Sequence, residues 1–246
     1  MKHLRWQLFL GIGLVVLSAI LYFIHFQFFH DAHHIFIYLV GDIAFVPIEV
    51  LLVTLIIHRL LSAREKRARL EKLNMVIGTF FSEIGTRLLT HFSDFDPNLD
   101  DIRKKLLVAN DWTDQEFRDV SSRLRRYQYG IDIKKVSLEH LRDFVVGKRG
   151  FLVRLLENPN LLEHESFTGL LRAVFHMAEE LESREDLKSL PDSDYQHLAG
   201  DMKRVYILLV GEWLDYMKYL KYNYPYLFSL AMRLNPFDLE GSPVVK

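Results

Sequence analysis

The chain has 246 residues, half of them apolar, with 31 Lys and Arg against 32 Asp and Glu and a formal net charge of -1. That leaves room for one membrane unit and one soluble domain of roughly 150 residues, which is too little for a large transporter, and it offers no global basic field of the kind that draws nucleic acid. The absence of cysteine excludes disulfides, thiolate zinc sites, iron–sulfur clusters and cysteine nucleophiles together.

From Leu8 to Phe29 the chain runs LFLGIGLVVLSAILYFIHFQFF with no formal charge, and a bilayer needs about 20 such residues. A secretory signal would be shorter and end in a small-residue cleavage site, whereas this run ends in bulky FQFFH, so it reads as an uncleaved anchor. A second apolar run, Ile35 to Leu61, follows after only HDAHH. The two segments therefore predict an antiparallel transmembrane hairpin over 1–61, with spans at about 8–29 and 35–61. Lys2, His3 and Arg5 precede the first span, and Arg59, Arg64, Lys66, Arg67, Arg69 and Lys72 follow the second, while the intervening turn has no Lys or Arg. By the positive-inside rule both termini lie in the cytoplasm, in the cell membrane, or the inner membrane of a bacterial cell.

Asp42 and Glu49 stand seven residues apart within the second span, so they share one stripe of a helix, about 10 Å apart along it. An ionised carboxylate in hydrocarbon costs about 2.5–3.5 kcal/mol, and such groups face a protein interior or a wet cavity. Two helices offer little interior, which predicts a homo-oligomer whose second spans turn both acids inward. Pro47, between them, removes a backbone hydrogen bond and frees a carbonyl. One reading of these three residues is a polar axis that conducts cations or protons. The other is that both acids are protonated or hydrogen-bonded across a helix interface and serve assembly only. In the outer turn, His30, Asp31, His33 and His34 are dense enough in imidazole and carboxylate to bind a divalent metal, and they are also ordinary interfacial residues.

Past Leu61 the sequence SAREKRARLEKLN has no Gly or Pro. The second span is expected to continue as a membrane-proximal helix over 62–92 whose basic face meets anionic headgroups. Leu70, Leu73, Ile77, Phe80 and Ile84 recur at heptad-like spacing, which fits a short coiled coil or an amphipathic helix buried in its own domain. Residues 93–237 then punctuate into a cytoplasmic helical bundle, giving an all-α chain. Asp96 before Pro97 is a start signal, and Thr113 with Glu116 matches a capping box. Gly130 closes that helix, Ser137 caps another that reaches Glu157, and Asn158–Pro159 breaks it. Further helices are expected from about Glu165 to Ser183, from Asp194 to Tyr222, and from Pro225 to Asn235, followed by a flexible tail over 238–246. VYILLVGEWL is too short and too closely bracketed by charge for a third span and reads as a buried core helix.

No Walker A loop, dinucleotide fingerprint, HExxH, GxSxG elbow or kinase signature is present, so no enzyme and no organic cofactor is expected. One constellation stands apart. His176 and Glu180 share one helix face and His197 and Asp201 the next, and a hairpin near Ser189 would set His176 against Asp201 and Glu180 against His197. Such a set can hold a divalent metal or be a plain salt-bridge network. Ferritin-like di-iron proteins use Glu-x-x-His on two helices, a pattern these residues depart from. The sequence thus leads first to a homo-oligomeric membrane protein, a cation or proton channel with a cytoplasmic gating domain. The second reading is a membrane-anchored scaffold or sensor whose soluble helices bind a partner or ligand, and the third is a metal-dependent membrane enzyme.

Overall fold

A computed structural model describes residues 2–159, 161 and 164–245, without the side chains at positions 2–5, 7, 8, 69 and 101. The side chains of basic Lys2, His3, Arg5 and Arg69, and that of Leu8 at the expected start of the first span, therefore lie outside what is described, as does Lys246 in the tail. The chain is all-helical, with no strand among the described residues. It divides into two compact units, Met1–Lys66 and Arg67–Lys246.

The first unit consists of α1 (Lys2–Phe29) and the opening part of α2 (Ala32–Phe80). At 1.5 Å per residue α1 is about 42 Å long, and both helices are long and apolar enough to cross a bilayer. No residue from Phe9 to Leu61 is buried. The connection is tighter than the expected five-residue turn, because two caps meet. His30 adopts φ 52° and its N–H donates to the Phe26 carbonyl at 2.9 Å, a left-handed helix stop. Asp31 Oδ1 then accepts the His34 N–H at 3.1 Å, which is an N-cap. His33 and His34 are thereby drawn into α2, and the His34 ring stacks on His25 at 5.9 Å.

In the second unit α2 continues into a π-helical turn, Phe81–Gly85, and then α3 (Thr86–Asp94). Of the heptad-like positions, Leu73, Ile77, Phe80 and Ile84 are buried in the core of this same unit, whereas Leu70 is exposed. Two start and stop signals act otherwise than expected. No helix begins at Asp96–Pro97; Asp96 instead accepts the Asn98 N–H at 3.0 Å and the Tyr127 hydroxyl at 2.8 Å, so its carboxylate is spent on a turn and a tertiary contact. The short α4 (Asp100–Arg103) follows. Thr113 does open α5 (Asp114–Leu124) with a complete capping box, but the helix ends six residues before Gly130. Gly130 serves a close approach: a Cβ there would sit 3.1 Å from the Pro97 ring.

The helix expected from Ser137 to Glu157 is two, α6 (Leu138–Gly147) and α7 (Arg149–Leu156). Lys148, at φ -99° and ψ 2°, breaks the helical path between them, in the basic GKRG segment. The core is set by the antiparallel pair α8 (Glu165–Glu182) and α9 (Asp192–Asn223), against which α3, α5, α6, α7 and α10 (Pro225–Arg233) pack. The apolar VYILLVGEWL lies within α9, and its Val205, Tyr206, Leu209, Val210 and Trp213 are buried in that core.

Candidate functional site

The α8–α9 hairpin positions the cluster. Its loop is closed by Arg184, whose guanidinium donates to both oxygens of Asp194 at 2.7 Å and to Glu180 Oε2 at 2.8 Å. This guanidinium holds the Glu180 and Asp194 carboxyls below their ordinary ranges. It also fixes the register of the two helices, so that both expected pairings form. His176 Nε2 lies 3.7 Å from Asp201 Oδ2 and His197 Nε2 lies 3.5 Å from Glu180 Oε2. Within each helix the i,i+4 pairs stand at 3.7 Å for His176–Glu180 and 3.4 Å for His197–Asp201.

Asp201 is buried at 4% exposure, and its two oxygens differ. Oδ1 accepts from Arg204 at 3.0 Å, whereas Oδ2, aimed between the imidazoles, has no hydrogen-bond partner. Ligating atoms of His176, Glu180 and Asp201 all lie within 4.8 Å of one another. Among the described residues this is the one set of three or more that does so. His30, Asp31, His33 and His34 are not gathered in that way, since the two caps consume Asp31 and place His33 and His34 on a helix. Arg184 and Arg204 were missed by sequence reasoning, although each follows a cluster carboxylate by four or three residues, the spacing at which helix neighbours meet.

Asp42, Pro47 and Glu49 are exposed on α2, which passes through Pro47 without interruption. Arg59, Arg64, Lys66, Arg67 and Lys72 are exposed further along the same helix.

A second acidic group was also not foreseen. Glu212, on α9, is buried, and burial raises its carboxyl above the ordinary range despite a hydrogen bond from Ser166 and the nearby His164. A carboxyl raised by folding binds its proton more tightly in the folded chain, so its penalty is absent below the unfolded value and grows as pH rises through the folded one. Glu212→Gln should therefore match the parent melting temperature at pH 4 and exceed it by a few degrees at pH 7. Equal melting temperatures at both pH values would refute this.

Two sequence families match the chain in tandem. Residues 1–61 match the family described as MJ1433, N-terminal helical domain, and residues 69–233 match the family described as Uncharacterized protein MJ1433, C-terminal helical domain. The protein of that name from Methanocaldococcus jannaschii is 48% identical over 238 residues, covering 97% of this chain and 96% of the relative. No solved structure matches.

Proposed function

We propose, for a chain that belongs to the MJ1433 family, an integral membrane protein that works as a homo-oligomer. The apolar surface of α1 and the first part of α2 is uncovered, and each fully exposed Leu, Ile or Phe forfeits about 1.5–3 kcal/mol relative to burial. Over two such helices the deficit reaches tens of kcal/mol, and a bilayer removes it. Arg59, Arg64, Lys66, Arg67 and Lys72 follow the second span, and the turn has no Lys or Arg, which favours cytoplasmic termini and a cytoplasmic helical domain.

The observation that carries assembly is the exposure of Asp42 and Glu49 on a stretch of α2 that has no buried residue as far as Leu61. Neither acid can stay ionised against lipid at low cost, and copies of α2 around a shared axis would turn both inward at two levels about 10 Å apart. Such an axis passes cations or protons, with Pro47 between its two acidic levels. In vesicles reconstituted with purified protein, Glu49→Gln is expected to reduce cation or proton flux at least tenfold. An unchanged flux, or a monomer in a bilayer mimic, would overturn the channel. The second reading, a membrane-anchored sensor, draws on the half-exposed His and carboxylate cluster on α8 and α9, and it predicts that Glu49→Gln leaves function intact.

A further inference from the structure

We infer that His176, Glu180, His197 and Asp201 form a binding site for a divalent transition metal, zinc in the first instance, which clamps α8 to α9. This proposal does not depend on whether the membrane helices conduct.

The distances carry it. Four imidazole–carboxylate separations around the cluster fall between 3.4 and 3.7 Å. An N–H donor and a carboxylate that bond directly approach to about 2.7–2.9 Å, so none of the four is a good hydrogen bond. A tetrahedral ion with bonds of about 2.0–2.2 Å instead holds neighbouring donors about 3.4 Å apart, close to the separations seen. Donors of three residues, His176, Glu180 and Asp201, lie within 4.8 Å of one another, near the corners of one coordination polyhedron, and His197 Nε2 stands beside them, 3.4 Å from Asp201 Oδ2, as the fourth donor within reach.

Asp201 supplies an independent sign. Its carboxylate is more than nine-tenths buried, yet Oδ2 is without a hydrogen-bond partner and points into the space between the two rings. Buried polar atoms are almost always satisfied, and an orphan acceptor facing two imidazole nitrogens is what a ligand awaiting its ion looks like. The neighbouring groups orient the donors. Arg204 holds Asp201 Oδ1, leaving Oδ2 for the ion. Arg184 holds Glu180 Oε2, leaving Oε1, the oxygen on the His176 side. Outer partners of this kind fix ligand orientation in metal sites. Asp194 neutralises part of the Arg184 charge. With neutral histidines, Glu180, Asp194 and Asp201 outnumber Arg184 and Arg204, so the site is net acidic.

The donor set selects the class of ion. Two imidazoles and two carboxylates suit zinc and its neighbours among the divalent transition metals better than calcium or magnesium, which prefer all-oxygen shells. With half-exposed His197 turned in as fourth ligand beside the three gathered donors, the tetrahedron closes, which makes a structural or regulatory site rather than a catalytic one. His176 and His197 are about half exposed, so the ion can exchange with solvent. Occupancy would then tighten the α8–α9 hairpin around which the domain is built.

The test uses the full-length chain, purified in detergent without a histidine tag, stripped with EDTA and dialysed. Cobalt(II) is expected to bind at one equivalent per chain with the strong visible absorption of tetrahedral cobalt, and zinc to displace it. His176→Ala and His197→Ala, which alter half-exposed side chains, should each weaken zinc binding at least tenfold while leaving the circular dichroism of the metal-free protein unchanged. Paired His33→Ala and His34→Ala changes at the start of α2 should leave binding intact. Zinc should also raise the parent melting temperature in proportion to the logarithm of its concentration, an effect lost in His197→Ala. No binding by the folded parent protein, binding insensitive to both α8 and α9 histidines, or binding abolished by the His33 and His34 substitutions would overturn the site.

Discussion

Phe167→Ala is expected to lower the unfolding free energy of the helical domain by about 3–5 kcal/mol, the usual result of deleting a fully buried aromatic ring. Phe167 lies in the first turn of α8 with no exposed surface. Its ring meets Phe80 edge-on, with centroids 5.3 Å apart at 86°, a geometry that adds to area burial. Its backbone N–H is meanwhile held by His164 Nδ1 at the helix start, so the backbone there is pinned and cannot sink into the space left behind. Little relaxation means that most of the cavity cost is retained. At about 2–4 °C per kcal/mol for a domain of this size, the melting temperature should fall by roughly 6–20 °C. Near-ultraviolet circular dichroism of the full chain in detergent reads this directly, and a loss below about 1 kcal/mol would mean that Phe80 and Phe167 do not share one core.

How far the sequence announced these contacts varies with the physics behind them. The all-helical class was legible from periodicity and breakers, and α8 and α9 fall within two residues of the expected bounds. The pairing of His176 with Asp201 and of Glu180 with His197 was equally readable, since two i,i+4 pairs on the arms of one hairpin can face each other in few ways. Other features answer to partners distant in sequence. Gly130 looked like a helix stop, but its role is set by Pro97, 33 residues earlier, and Asp96 looked like a helix start until Tyr127 claimed its carboxylate. The turn histidines were read as one cluster because cap geometry at His30 and Asp31 is decided by φ and by a single hydrogen bond, which composition does not display. Arg184 escaped notice because a salt bridge to its i-4 neighbour is commonplace, and only the position of Asp194 across the loop makes it a clasp.

The π-helical turn Phe81–Gly85 is the clearest case, and it yields the second large expected effect. FSEIG reads as ordinary helix, and nothing local asks for an extra residue in the turn. The demand comes from the core: Phe80 and Phe81 are adjacent in sequence yet both buried. Phe80 is edge-on to Phe167, and Phe81 is stacked on Tyr216 at 5.4 Å and 10°. Helix neighbours normally point about 100° apart, and small adjacent pairs such as Leu209 and Val210 are both buried in ordinary helix; here the neighbours are two bulky rings with different aromatic partners, and the extra residue of a π turn alters the winding between them. Gly85 completes the fit, because a Cβ there would lie 2.7 Å from the Phe81 ring and 2.8 Å from the Phe80 ring. Both rings are held by aromatic neighbours and cannot swing away. Gly85→Ala should therefore destabilise by about 1–3 kcal/mol through overpacking, against the usual helical preference for alanine. Gly211 provides the internal comparison: it is exposed in the middle of α9, where a new Cβ meets nothing within 4 Å. There the same substitution should stabilise by about 0.5–1 kcal/mol, the conformational entropy that glycine loses on folding. Opposite signs in chemical denaturation at these two glycines would tie the π turn to the seating of Phe80 and Phe81, and a stabilising Gly85→Ala would show that the turn has another cause.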